Sequence, residues 1–310
     1  MEGKVIGMKK RKKRLLSVLV FAFVAVVIII AGLYFYPVWK SAKVLEEKLD
    51  FLDCSYELEV ELDKDQMEDG QNRVLEILAE LTGYEQQAMY SPVIRGSVWE
   101  DKIHALIYPK DAAEPIIELY LSDDMVLINE AMLYNVIRRN LMGESTVLSF
   151  LVPVQEGSMY MSLEQVEELF GIDLSSVREF RLPFDDNGLT AAKYFAGLSV
   201  MKHTRDESGE SFAAETEQAK LQLGLSGEGE AAVITVQFSV EEPAKVLEEN
   251  TRLFTILGME LPDERFRILK RISVDTVSGE GQGLEMPVEF VSQEVLDIIS
   301  GIRKWITNNF

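Results

Sequence analysis

The sequence predicts an α+β fold: a single N-terminal transmembrane helix followed by an extracytoplasmic domain of antiparallel β-hairpins flanked by amphipathic helices. Three observations carry this. The bases Lys9, Lys10, Arg11, Lys12, Lys13 and Arg14 run directly into Leu15–Tyr36, 22 residues without a charge. Further on, alternating apolar segments come in pairs around turns rich in Gly, Asp and Ser. Helical-period stretches stand between the pairs without the strand–helix–strand alternation of a parallel sheet.

At about 1.5 Å per residue the uncharged run would be roughly 33 Å long, enough for a hydrocarbon core of about 30 Å. Tyr34, Tyr36 and Trp39 stand at its far end, where amphipathic rings prefer the headgroup layer, and Pro37 marks the exit. A cleavable signal would have a shorter apolar region and a small-x-small site, but Ile29-Ile30-Ala31 puts a bulky residue at the −3 position. A retained signal anchor is expected, with residues 1–14 as a basic cytoplasmic stub, 15–36 in the cell membrane and 38–310 outside. Those 273 exterior residues make one large domain, or two sub-halves meeting near 172–190.

Val38, Ala42, Leu45, Leu49 and Leu52 lie on one face of a helix leaving the membrane, and Tyr56–Leu62 alternates as a strand. A helix is predicted over Gln71–Leu81, stopped by Gly83. Strands Val93–Trp99 and Ile103–Tyr108 form one hairpin, and Ile116–Leu121 with Met125–Asn129 forms a second. Helices are expected at Glu130–Leu141 and Leu163–Phe170, the latter with Ser162 and Gln165 as a capping box. The second half reads as strands at Ala192–Thr204 and Phe212–Glu217, then a hairpin of Ala219–Leu225 with Ala231–Val240. A helix from Pro243, strands Phe266–Val277 and Leu284–Phe290 around the turn Ser278–Gly283, and a helix from Ser292 complete the set. Ala42–Glu47 recurs verbatim as Ala244–Glu249, too short to establish a repeat.

Residues 1–14 hold seven of the 31 bases and one of the 52 acids, leaving 24 bases against 51 acids outside. That acidity excludes a phosphate-binding face, so nucleic acid is not an expected partner, nor is an anionic lipid surface. One cysteine, Cys54, allows no internal disulfide; with no N-x-Ser/Thr sequon present, a bacterial cell envelope fits better than a eukaryotic secretory route.

No catalytic set is evident. The two histidines, His104 in an apolar strand and His203 among charges, lie in no zinc-ligand spacing and read as one half-buried and one exposed residue. There is no nucleophile elbow or phosphate loop, and Ser278–Gly283 reads as a turn. Asp65, Asp69 and Glu76, with Gly70 between, match positions 1, 5 and 12 of a calcium loop. Met67 at position 3 and Asn72 at position 8 break the pattern, so no metal or cofactor is expected. Helix-flanked antiparallel sheets tethered to a membrane also occur in envelope proteins that cradle lipids or lipoproteins, a likeness of fold that does not determine function. The expectation is a non-catalytic interaction or scaffolding protein of the envelope. The other class is a carrier or sensor binding an apolar ligand in a curved sheet, and the discriminating feature is an open apolar trough.

Overall fold

The computed structural model describes residues 35–48, 53–142 except 101, 123 and 124, 190–249 except 208 and 228–230, 267–279 and 283–287. It also describes 154, 155, 157, 159–162, 164, 165, 167 and 291. The stub, most of the expected anchor, the 172–189 junction and the last predicted helix lie outside these. Among the described residues no helix is long and apolar enough to cross a membrane.

Helix α1, described over 35–48, leads to strand β1, Asp53–Leu62. A short 3-10 turn at Lys64–Gln66 precedes α2, Asp69–Thr82, and α3, Gln86–Met89. Four strands follow: β2 Val93–Trp99, β3 Lys102–Tyr108, β4 Ile117–Leu121 and β5 Val126–Asn129. Helix α4, Glu130–Met142, and strand β6, Tyr160–Ser162, complete the first half. The second half holds α5 Ala191–Ser199, β7 Lys202–Arg205, β8 Glu210–Glu215, β9 Ala219–Ser226 and β10 Val233–Glu241. Helix α6, Pro243–Glu249, and β11, Leu269–Ser278, come last. The α+β class is as expected.

The eleven strands form one sheet, ordered β6-β5-β4-β3-β2-β1-β11-β10-β9-β8-β7, and every pairing is antiparallel. The halves of the chain therefore meet along β1 and β11 and share a sheet. Register sorts the side chains. One row across the sheet runs Leu119, Ala105, Gly96, Tyr56, Thr276, Val236, Leu223, Phe212. A parallel row runs Ile117, Ile107, Ile94, Leu58, Val274, Phe238, Leu221. Both lie on one apolar face, because alternate residues of a strand point the same way. The opposite face carries Glu57, Arg95, Glu241 and Arg271, joined across strands as Arg95–Glu57 at 2.6 Å and Arg271–Glu241 at 3.3 Å.

Helices cover the two flanks of the apolar face. Val38, Ala42 and Leu45 of α1 and Leu198 of α5 pack on Phe212, Leu223, Leu225 and Ile234. On the other flank Ala79 of α2, Met89 of α3 and Val136 of α4 form a cluster with Ile116, against which Ile117 packs. Helix α2 has the expected stop, Gly83, in a left-handed conformation at φ 76°. The Ser162–Gln165 capping box is present: the Ser162 N–H donates to Gln165 Oε1 and the Gln165 N–H to Ser162 Oγ.

Two expected strands differ: one is formed only over its last residues, and of Leu284–Phe290 only 284–287 are described. Ala192–Thr204 is the helix α5 followed by β7. Its residues Ala191, Tyr194, Phe195 and Leu198 repeat at helical spacing, and the alanines favour a helix, so the period outweighs the β-prone side chains. Residues 283–287 are not in a strand. Both edges of β11 are already taken, by β1 and β10, which leaves no place for a hairpin partner after Ser278–Gly283. The repeated hexapeptide falls on helices in unlike surroundings: Ala42 is fully buried on the β8–β10 flank, whereas Ala244 is half-buried in α6, which packs near β11.

Candidate functional site

Between the covered flanks, no helix among the described residues packs on the middle of the apolar face. Leu58, Ile94, Val98, Ile103 and Val274 on the central strands are only half-buried, and Phe238 beside them is 37% exposed. The floor of this strip is set by a close approach. Tyr56 reaches across its direct partner Gly96, and its hydroxyl donates to the His104 carbonyl of β3 at 3.0 Å. A Cβ at residue 96 would lie 1.8 Å from that carbonyl oxygen and 2.9 Å from the Tyr56 hydroxyl, so only glycine fits. Burial raises the Tyr56 phenol well above its ordinary value and keeps it a neutral donor. Cys54, half-buried on the same face, has its thiol pushed up by burial and then by the Asp53 carboxylate, which makes it a poor nucleophile.

The opposite face of the sheet holds a polar cluster on β3 to β6. His104 Nε2 meets Glu118 Oε1 at 2.9 Å, and Glu118 Oε2 accepts from Asn129 Nδ2 at 2.6 Å and from the Tyr160 hydroxyl at 3.3 Å. One carboxylate thus ties together β3, β4, β5 and β6. Tyr120, directly opposite His104, stacks on its ring at 4.5 Å and meets Tyr160 edge-on at 5.7 Å. The hydrogen bond with His104, more than those from Asn129 and Tyr160, holds the Glu118 carboxyl below the usual carboxylate range against its burial. Its contribution to stability is therefore present above the ordinary carboxylate pKa and is lost as pH falls through the lowered one.

His203 repeats this arrangement in the second half. It stacks on its direct partner Phe212 at 4.7 Å and pairs with Glu210, two residues before that aromatic, just as Glu118 precedes Tyr120. Glu210 also holds Arg205 at 3.3 Å. The expectation of an exposed His203 is corrected: its side chain is 13% exposed. The signal was a glutamate two positions before an aromatic on the next strand, visible only once the pairing register is known. A histidine oriented by a carboxylate is also the base half of a catalytic dyad. In both places an aromatic ring covers the imidazole face, and the partners observed are strand-to-strand ties.

The calcium-loop residues do not converge. Asp65 lies in the 3-10 turn, where its N–H donates to Asp63 Oδ1; Asp69 opens α2; Glu76 is held by Gln86 at 3.1 Å and Arg73 at 3.3 Å. Asn72 closes the turn by donating to the Lys64 and Met67 carbonyls. Among the described residues no group of three or more His, Cys, Asp or Glu is placed to hold a metal ion.

Two described cavities are polar or mixed. One of about 220 Å³ on the charged face is lined by Glu59, Glu61, Arg95, Lys110 and Arg271, and one of about 360 Å³ lies between Glu114, Asn129 and α4. Glu130, at the head of α4, has its carboxyl pushed up to about 7 by burial. Between the ordinary carboxylate pKa and about 7 the folded chain holds a proton there that the unfolded chain has lost, so stability falls as pH rises through that window. Glu130→Gln is expected to raise the melting temperature at pH 8 and leave it unchanged at pH 4. Equal shifts at both values in a thermal unfolding series would remove titration as the cause.

The fold and its two sites define a single-sheet α+β protein with one apolar and one charged face. No protein family, curated protein or solved structure matches the chain.

Proposed function

We propose that this is a non-catalytic, membrane-tethered binding protein of the bacterial cell envelope that holds an apolar ligand against the open strip of its sheet. The observation that supports it is the half-buried aliphatic strip, Leu58, Ile94, Val98, Ile103 and Val274, lying between helix-covered flanks. Aliphatic surface left in water is unfavourable by about 25 cal/mol per Å², and a lipid chain or an acylated peptide would cover it. The tether is the run Leu15–Tyr36, with bases on its cytoplasmic side. The scaffold reading differs in needing no occupant for the strip.

Titration of the domain from Phe35 onward with a fluorescent long-chain fatty acid tests this. Saturable binding is expected, weakened on the order of tenfold when Val98→Thr and Ile103→Thr add polarity without volume. Absence of saturable binding would leave the scaffold reading in its place.

A further inference from the structure

We infer that one end of the sheet rests on the lipid surface, with Val200 and the aromatic start of α1 as its two points of contact; this rests on the reading of Leu15–Tyr36 as the membrane anchor. Helices α1 and α5 lie antiparallel. The Ala191 N–H at the head of α5 donates to Glu46 Oε1 near the far end of α1, while Phe195 meets Trp39 and Phe35 edge-on at 5.6 and 5.8 Å. The tail of α5 is therefore carried to the first described turn of α1. Val200, the residue after α5, is 86% exposed, and at the start of α1 Tyr36 is 69% and Phe35 42% exposed.

Phe35 and Tyr36 are also the last residues of the uncharged run, so the chain passes from the expected bilayer straight into this end of the domain. Helix α1 is no loose tether. Val38, Ala42 and Leu45 are buried against the sheet, which holds the first described turns of α1 to the domain. An aliphatic side chain so exposed, at the tail of the helix that packs on Phe35 and Trp39, matches the headgroup–acyl boundary. Lys202 pairs with Ala213, which places Val200 at the end of β8 that carries the turn with Glu217. Glu215 and Glu217 there offset Lys202 and Lys220, so no basic excess favours an anionic surface and the lipid it fits is zwitterionic.

The full chain in phosphatidylcholine vesicles tests this, with a nitroxide at Val200→Cys or at Ser226→Cys, each in a Cys54→Ser background. Ser226 is exposed at the opposite end of β9, roughly 25 Å away at about 3.3 Å per residue. Circular dichroism matching that of the unlabelled chain certifies each variant. The chain is expected to float with the vesicles. At position 200 the oxygen-to-nickel-chelate accessibility ratio should exceed that at 226 several-fold. Flotation with equal, water-like ratios at both positions overturns the docking and leaves the anchor standing. Failure to float overturns the anchor and the docking with it.

Discussion

Gly96→Ala is expected to destabilise the domain by about 2–3 kcal/mol, near the upper end of what overpacking costs. For a chain of this size that is a loss of roughly 3–5 °C in melting temperature. The added Cβ would sit 1.8 Å from a main-chain oxygen, which cannot swing aside as a side chain can, so strand β2 must move from β3. Tyr56 must also leave its hydrogen bond to the His104 carbonyl. The displaced ring would obstruct the apolar strip, so fatty-acid binding should fall in the same variant. Tyr56→Phe separates the effects: it removes the hydrogen bond and keeps the ring, and should cost only about 1 kcal/mol. A Gly96→Ala domain melting within a degree of the parent in calorimetry would show that the close approach is not rigid.

The second large effect is at Phe212, which is 0% exposed and lies under α1 and α5. Phe212→Ala is expected to cost about 3–5 kcal/mol, since it removes a ring that Val38, Leu45 and Leu198 close over. Phe212→Leu, closer in volume, should cost about 1 kcal/mol. Hydrogen exchange gives the sharper reading. Amides of α1 and of β8–β9 should lose protection together in Phe212→Ala, while those of α2 and α4, at the other flank, keep theirs. Loss confined to β8 would mean that α1 is held by something other than this core.

Much of the fold was legible because alternation and helical period are local. The β2–β3 hairpin and the strand Tyr56–Leu62 were visible in that way, as were α2 with its Gly83 stop and α4. Where two periods competed, at Ala191–Ser199, β-prone Tyr194 and Phe195 obscured a helix whose apolar residues fall at helical spacing. The missing partner of β11 had a different cause. Whether a strand gains a neighbour depends on which edges are free, and that is decided by β1, some two hundred residues earlier in the chain. The candidate sites were hidden for the same reason. His104 and Glu118 share no sequence motif, and His203 looked solvated because its cover, Phe212, arrives from the next strand. The apolar strip exists only after four strands align Leu58, Ile94, Ile103, Val98 and Val274 on one face. Leu15–Tyr36 was the reverse case, plain in composition and, but for Phe35 and Tyr36, outside the described residues.

The adjacency of β1 and β11 sets a timetable for a chain made from one end. Strand β1 emerges early, and β11, its neighbour, is finished only at Ser278. Until then the future middle of the sheet is a bare strand edge, with an aliphatic face beside it. Bare edges recruit other strands, and pairings so distant along a chain form slowly. A chain of this design cannot complete its sheet piecemeal as it emerges. It needs protection of the β1 edge during that interval, and its yield should depend on how fast the last third follows the first.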